Sequence, residues 1–198
     1  MKLETTLLKT ITKKQVYKNS FSDLVATFEK KLLDFNPVAK AFEIEKYFLN
    51  SGQVTVTKKL ISDNIVSKDW LREYTTKKGK KKIDFKGLYI FMHDKTPIYV
   101  GISKGVIGRT LQHVKGHSHN TSTLAYNIGL VRYEIMKGEK YIGGRKEFDF
   151  KADVTPAKDF LIKQKIAFLP IDNDEELYLF EIYCAMQLQC WLNKFETH

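Results

Sequence analysis

Four side chains able to take part in phosphate and proton chemistry fall within one short stretch of the chain. Tyr89 and Tyr99 are ten residues apart, and Arg109 and His113 follow them, four residues apart. Because residues four apart share one face of a helix, the guanidinium and the imidazole are expected side by side. Phenols, a guanidinium and an imidazole that converge could grip a phosphate and move a proton. The other interpretation is an aromatic hairpin followed by a solvated basic helix.

A predicted β-hairpin would bring the two tyrosines together. Two β-prone runs flank a polar turn of five residues, His93 to Pro97. A turn with an odd number of residues places Phe91 opposite Tyr99 and leaves Tyr89 diagonally beside it, on the same face. The helix that follows the hairpin is expected to end at Gly116.

Taken in order, these residues resemble the motifs of the GIY-YIG nuclease family. The matching residues are Gly87-Leu88-Tyr89, Tyr99-Val100-Gly101, Ser103, Arg109, His113, Glu181 and Asn193. The family includes homing endonucleases, excision-repair subunits, structure-specific endonucleases and some restriction enzymes. The resemblance covers roughly residues 85–193, and it departs from the family where a proline that often precedes the asparagine is absent.

The resemblance implies a metal-dependent endonuclease that hydrolyses phosphodiester bonds in DNA. Glu181 would hold one Mg²⁺ (or Mn²⁺), and Arg109 would grip the scissile phosphate. Tyr89 would act as the general base or orient the attacking water, while Tyr99 would position the phosphate or the water network. Because a free phenol has a pKa of about 10, Tyr89 needs either a neighbouring cation that lowers its pKa or coupling to His113.

The last predicted helix gives an observation that does not depend on the resemblance. Glu181 falls on the same helical face as four apolar residues, Leu177, Cys184, Leu188 and Trp191. A carboxylate that faces a core is costly unless it is paired or binds a metal. An ion pair with Arg109 or another buried base is one interpretation. Metal binding is the other, and the family pattern favours it.

The charge of the chain predicts a polyanionic partner, with DNA as the first candidate. The formal net charge is +10 and the pI is about 9.4. The residues expected to contact nucleic acid are Lys80, Lys81, Lys82, Ser103, Lys104, His117, His119 and Asn193. The lysine run over residues 77–82 equally fits a solvated linker. Asn193 is also expected to fix the backbone at the edge of the site.

The surrounding elements predict an α+β fold with a small, three-stranded, mainly antiparallel sheet flanked by helices. The third strand is expected over residues 166–169, beside the hairpin. Residues 83–198 form the expected nuclease-like domain, and residues 1–82 a mostly helical N-terminal extension. Within the extension we expect a strand at 54–56 and a helix over 67–74. This extension could be a small DNA-binding module or a helical buttress.

Composition limits the class of protein. A hydrophobic content of 43% over 198 residues is enough for one folded core with a small appended part. No apolar run is long enough to span a membrane, and the N-terminus lacks a signal-peptide pattern. Cys184 and Cys190 lie on one predicted helix and form no zinc pattern. We therefore expect a cytoplasmic, intracellular protein in a reducing environment, with no membrane partner.

Two other functions fit the same sequence. One is a catalytically inactive nucleic-acid-binding protein on the same scaffold, although all five motif side chains are present. The other is a basic protein–protein adaptor, which predicts neither metal-dependent nicking nor salt-dependent DNA binding. Within the nucleases, a restriction or mobile-element type is favoured. Since each chain would carry one active site, cutting both strands would need a homodimer or two successive encounters.

Overall fold

The fold combines a four-stranded antiparallel sheet, a separate β-hairpin and helices; the computed structural model describes residues 19–75, 79 and 81–193. The described helices are α1 (Phe21–Phe35), α2 (Pro37–Lys40), α3 (Ile44–Phe48), α4 (Gln53–Ser62), α5 (Val106–Lys115), α6 (Thr123–Lys137), α7 (Thr155–Ile162) and α8 (Asp174–Gln187). The strands are β1 (Phe42–Glu43), β2 (Arg72–Thr75), β3 (Lys81–Asp84), β4 (Gly87–His93), β5 (Thr96–Ser103) and β6 (Lys165–Pro170). Within these residues, no helix has both the length and the apolar character needed to cross a bilayer.

The main sheet has the order β1-β6-β4-β5. The hairpin and the strand expected over 166–169 are confirmed, and all their pairings are antiparallel. The prediction of three strands is wrong, because Phe42 and Glu43 pair with Ile166 and Lys165 as a fourth strand. A two-residue strand has no alternating pattern to detect, and it forms because β6 offers an unpaired edge.

The hairpin places its aromatic residues as expected, although its turn is shorter than expected. Phe91 lies opposite Tyr99, and Tyr89 lies opposite Gly101. The tight turn leaves only Asp94 and Lys95 between the paired strands, and a β-bulge after Phe91 changes the register. The bulge supplies the extra residue that the longer loop was expected to supply, so the faces agree.

Successive residues of β4 enter two different cores, one on each face of the sheet. Leu88 and Ile90 belong to the core that α1 and α8 cover. Tyr89 and Phe91 belong to the other core, which contains buried residues of the helices from α3 to α7. This alternation puts the Tyr89 phenol on the same face of the sheet as α5.

Two elements of the N-terminal extension differ from the prediction. The prediction of a strand at 54–56 is wrong, because these residues belong to α4. Val56 and Leu60 are buried one helical turn apart, whereas Val54 is exposed. The helix expected over 67–74 is also wrong, since a single 3₁₀ turn, Lys68–Trp70, leads into β2.

The lysine run is partly a strand. Lys81 and Lys82 belong to β3, which pairs with β2, so a solvated linker is the wrong prediction at these two positions. Lys80 lies outside the described residues. The boundary expected between residues 82 and 83 falls inside β3, and Ile44 and Phe48 share a core with Tyr89. These contacts are of the kind that a buttress would make.

Gly87 allows β4 to lie close against β6. A Cβ atom at this position would overlap the carbonyl oxygen of Leu169 and would stand 3.0 Å from the Cα atom of Pro170. Neither atom can move without displacing the strand, because both belong to the backbone of β6. The glycine is therefore a packing requirement of the central strand.

The variant Gly87→Ala should lower the free energy of unfolding by about 1–3 kcal/mol, the usual cost of forcing extra atoms into a packed site. Urea denaturation followed by circular dichroism measures the change. Gly52→Ala is the matched control, since a Cβ at Gly52 meets nothing within 4 Å. Equal losses in the two variants would contradict this packing account.

Candidate active site

A hydrogen bond between two fully buried polar side chains lies at the centre of the site. The Tyr89 hydroxyl on β4 and the His113 Nε2 atom on α5 are 2.8 Å apart. Gly101 makes room for the phenol, because a Cβ atom there would lie 2.5 Å from the tyrosine ring. A glycine is thus needed at position 101, at the end of the Tyr99-Val100-Gly101 motif, because this position faces the ring of Tyr89.

Aromatic rings enclose the imidazole of His113. The ring centroids of Tyr89, Phe91 and Tyr99 lie 5.6, 5.7 and 6.0 Å from that of His113. Burial lowers the pKa of His113 well below its usual value, and the charge of Arg109 lowers it further. Among the described residues, the His113 Nδ1 atom has no hydrogen-bond partner. The resting imidazole is therefore neutral, with one nitrogen committed to Tyr89.

The two phenols are harder to ionise than free tyrosine. Burial raises the pKa of Tyr89 well above its usual value, and the nearby Tyr99 and Glu181 raise it further while Arg109 lowers it. Burial also raises the pKa of Tyr99, again with a contribution from Glu181. Of the two expected ways to activate Tyr89, a lowered pKa is absent. Coupling to His113 is present.

Arg109 lies in the cluster without a carboxylate partner among the described residues. Its Nη1 atom donates to Gln112 Oε1 at 3.0 Å and to the carbonyl oxygen of Thr121 at 3.3 Å. Its charge is close enough to lower the pKa values of Tyr89 and His113. The guanidinium is thus held by neutral oxygens, which leaves its charge uncompensated beside the phenol.

Glu181 approaches the two tyrosines from α8, and its carboxyl group has no ionic partner in the part of the chain that the structure describes. It is half-buried, and burial raises its pKa to about 7. The ion pair with Arg109 or another buried base is a wrong prediction for the described residues, where none is found. Burial disfavours the charged form of a carboxyl group that has no cation beside it, and a bound metal ion would offset that cost.

The donor set fits magnesium and does not fit zinc. The described residues contain no group of three or more His, Cys, Asp or Glu side chains that could enclose a metal. Mg²⁺ prefers hard oxygen ligands, keeps several waters and is commonly held by one or two carboxylates with substrate phosphate. Glu181 alone can therefore supply the protein ligand that such a site needs.

Asn193 fastens the edge strand next to the tyrosines. Its side chain accepts from the Val100 backbone N–H at 2.8 Å and donates to the Val100 carbonyl oxygen at 2.7 Å. Val100 lies between Tyr99 and Gly101, so these bonds hold the Tyr99-Val100-Gly101 motif in place. The predicted role in fixing the edge agrees with this geometry. Both hydrogen bonds of the Asn193 side chain go to the backbone of Val100, so they support a structural role and give no evidence of contact with nucleic acid.

The other expected nucleic-acid contacts are dispersed. The Ser103 hydroxyl bonds the backbone of Gly105 and closes the turn before α5. The His119 Nε2 atom lies 2.6 Å from the carbonyl oxygen of Phe148. Lys81 pairs with Glu73 at 2.9 Å. Lys82, Lys104 and His117 are exposed.

One functional candidate was missed from the sequence. Asp84 is buried, and its carboxylate accepts backbone hydrogen bonds at the start of α5. A signal was present, because α5 follows Gly105, which has no side chain with which to cap a helix. A helix without its own cap needs an acceptor from elsewhere in the chain.

Comparisons with known proteins find no counterpart for this chain. No protein-family model, no curated protein and no solved structure matches it. The function must therefore be inferred from the geometry of the site and from the motifs. Both point to the same five side chains, which are Tyr89, Tyr99, Arg109, His113 and Glu181.

Glu181 predicts a distinct dependence of stability on pH when no divalent metal is present. Its carboxyl binds a proton more tightly in the folded chain than in the unfolded chain, where its pKa is about 4.5. The free energy of unfolding should therefore fall as pH rises from about 4.5 to about 7 and level off above. Glu181→Gln should remove this decrease and be more stable at pH 8 by about 1–2 kcal/mol, allowing for solvent screening.

Urea denaturation in EDTA at pH 5 and pH 8 measures this difference. The matched control is Glu134→Gln, which changes an exposed glutamate of α6 and should leave the pH dependence of the wild type intact. Identical slopes for wild type and Glu181→Gln would contradict the raised pKa.

Proposed function

We propose that this chain is a metal-dependent endonuclease of the GIY-YIG type that hydrolyses phosphodiester bonds in DNA. The observation that carries the proposal is the buried hydrogen bond between Tyr89 and His113 beside the unpaired carboxyl of Glu181. Phosphodiester hydrolysis needs a proton acceptor, a positive charge for the phosphate and stabilisation of the departing oxygen. This arrangement can supply all three.

The arrangement is expensive for a purely structural cluster. The buried Nδ1 atom of His113 has no hydrogen-bond partner among the described residues, and the half-buried carboxyl of Glu181 has no ionic partner there. Each unpaired buried polar group costs about 1–3 kcal/mol. Such costs and shifted pKa values concentrate at functional sites, because the groups must stay available to a ligand.

The proton of the attacking water has a path within the chain. As the water oxygen bonds to phosphorus, its proton passes to the Tyr89 oxygen while the tyrosine proton passes to His113 Nε2. The bond between phosphorus and the departing oxygen then breaks, and the departing oxygen takes up a proton from solvent. The transfer requires the imidazole tautomer that carries its proton on Nδ1, and it never requires a free tyrosinate, whose formation the raised pKa of Tyr89 opposes. It does form an imidazolium at His113, whose pKa is lowered by burial and by the charge of Arg109, so the negative charge of the bound phosphate must stabilise that cation.

Arg109 binds the phosphate in this proposal. Its guanidinium donates to two neutral oxygens, from Gln112 and Thr121, which a phosphate oxygen can replace at an energetic gain. The planar fork suits a tetrahedral anion better than an ammonium group does. Tyr99, next to the clamp that Asn193 makes on Val100, positions the phosphate or the water.

Glu181 would hold Mg²⁺ or Mn²⁺, which would supply positive charge for the phosphate oxygens and the departing oxygen. A carboxyl with a pKa of about 7 is partly protonated at neutral pH. The proton must leave before the carboxylate can bind a cation, so Glu181 should hold a divalent metal more tightly at pH 8 than at pH 6.

The substrate is inferred from charge. A net charge of +10 with the exposed Lys82 and Lys104 suits a DNA backbone and predicts binding that weakens as salt rises. A restriction or mobile-element enzyme remains our more specific proposal, with a homodimer if both strands are cut.

Cleavage of supercoiled plasmid at low salt tests the function. The wild type with Mg²⁺ should convert the plasmid to nicked or linear DNA, and EDTA should prevent it. Tyr89→Phe and Glu181→Gln should each lower the rate by about 10²-fold or more, since each removes a proton acceptor or the charge that holds the metal.

Matched controls separate this chemistry from general damage. Tyr178→Phe removes an exposed phenol from α8, and Glu134→Gln an exposed carboxylate from α6; both should cleave at the wild-type rate. Salt-sensitive DNA binding without cleavage of plasmid or branched DNA would favour the inactive scaffold. Neither binding nor cleavage would favour the adaptor. Either result would overturn the proposal.

A further inference from the structure

Helix α5, which carries Arg109 and His113, begins without a cap of its own. Its N-cap residue is Gly105, and its first turn contains no acidic side chain. The first backbone N–H groups of a helix have no partner within the helix, and they need one when they are buried. Residues from a distant part of the sequence supply it here.

Asp84, the last residue of β3, and Phe85, which follows it, accept hydrogen bonds from the first N–H groups of α5. The Phe85 carbonyl oxygen accepts from Val106 N–H at 3.0 Å. The Asp84 carboxylate accepts from Ile107 N–H at 3.0 Å and from Gly108 N–H at 2.9 Å, one bond to each oxygen. Because two oxygens engage successive N–H groups, the carboxylate fixes the rotation of the helix as well as its distance.

The glycines of this turn fit around the Asp84 carboxylate. A Cβ atom at Gly105 would lie 3.0 Å from Asp84 Oδ2 and 2.8 Å from the Tyr74 hydroxyl. A Cβ atom at Gly108 would lie 3.3 Å from Asp84 Oδ2. A capping side chain at Gly105 would therefore collide with the cap that Asp84 provides, and this explains a glycine at the N-cap.

The N-terminal extension holds the carboxylate in turn. Gln53, the first residue of α4, donates from Nε2 to Asp84 Oδ2 at 2.8 Å. Asp84 also accepts from its neighbour Phe85 N–H at 2.8 Å. Four donors and the positive end of the α5 dipole thus stabilise the buried carboxylate, although burial outweighs them and raises the pKa of Asp84 above its usual value.

We propose that Asp84 is a positioning residue for the catalytic helix: its carboxylate sets where α5 presents Arg109 and His113 to Tyr89. Asp84 lies three residues before β4 begins at Gly87, so one short segment joins the strand of Tyr89 to the start of the helix. His113 lies about 9 Å along the helix from Ile107. A small tilt at the capped end therefore displaces the imidazole from its hydrogen bond. The inference rests on the proposed nuclease function only for its effect on rate.

The test is Asp84→Asn, which keeps the shape of the side chain but turns one acceptor oxygen into a donor facing Gly108 N–H. Two readouts are used. The ¹⁵N chemical shifts of the His113 ring report its hydrogen bond with Tyr89 whether or not the protein cleaves DNA. Single-turnover cleavage with Mg²⁺ should slow by about 10-fold or more, as displacement of a catalytic group predicts. The DNA dissociation constant should change by less than about 3-fold, since the buried Asp84 side chain offers no exposed atom to a DNA backbone.

Asp149→Asn is the matched control. Asp149 caps the helical turn of residues 150–154 by accepting from Lys151 and Ala152 N–H, the same chemistry at a helix that carries no motif residue. This variant should lose less stability than Asp84→Asn, because Asp149 is exposed and Asn keeps the Oδ1 acceptor, and it should keep the His113 signals and the cleavage rate of the wild type. Equal effects from both variants would mean that Asp84 is only a stabilising cap, which would overturn the proposal.

Gln53→Met keeps the proposal testable if Asp84→Asn does not fold. It removes one donor to the carboxylate and leaves the backbone hydrogen bonds of α5 intact. The His113 signals of this variant should shift less than those of Asp84→Asn, and the cleavage rate should fall by a smaller factor. Unchanged His113 signals in a folded Asp84 or Gln53 variant would contradict the positioning role. If the wild type cleaves no DNA, the proposed function fails, while the His113 signals still decide the role of Asp84.

Discussion

The hydrogen bond between Tyr89 and His113 sets the main constraint on this fold. It joins the central strand to a helix within a core where water cannot replace a lost partner. Strand and helix must therefore keep a fixed separation along their length. Gly101 leaves space for the phenol, and the Asp84 carboxylate anchors the start of the helix.

The polar groups around this bond differ in how fully they are satisfied. The carboxylate of Asp84 accepts four hydrogen bonds, and the amide of Asn193 both accepts from and donates to the backbone of Val100. Arg109 and Glu181 face the cluster without ionic partners among the described residues. Such a division is expected where a rigid frame keeps a few groups free for a ligand, because preorganisation lowers the cost of binding.

Local patterns in the sequence were enough to predict the parts of the site that depend on local geometry. Strand alternation placed Tyr89 and Tyr99 on one face, and helical spacing placed Arg109 beside His113. The prediction for the tyrosines holds although the predicted turn was too long. The face on which a side chain lies depends on whether the number of residues between the two paired positions is odd or even, and the bulge after Phe91 keeps that number odd. Helical spacing from the buried Leu177 and Cys184 likewise marked Glu181 as a carboxylate in need of a partner, although Leu188 and Trp191 lie beyond the end of α8 and Trp191 is exposed.

Contacts between distant segments were beyond these patterns. The strand at Phe42 forms only because β6 has a free edge, and Asp84 gains its role from a helix that begins about twenty residues later. The alternation of valine with polar residues at 54–56 predicts a strand in which Val54 and Val56 share one buried face. Burial instead selected Val56 with Leu60, and tertiary packing decided between the two periods.

The account rests on hydrolysis by the cluster of Tyr89, His113 and Glu181, and the fate of the solvent oxygen tests it most directly. Plasmid DNA would be incubated with the protein and Mg²⁺ in H₂¹⁸O, and the new strand ends analysed by mass spectrometry. We predict one ¹⁸O atom in the phosphate at each cut, because water attacks phosphorus. Intact strands, or ends whose phosphate contains no solvent oxygen, would contradict the account.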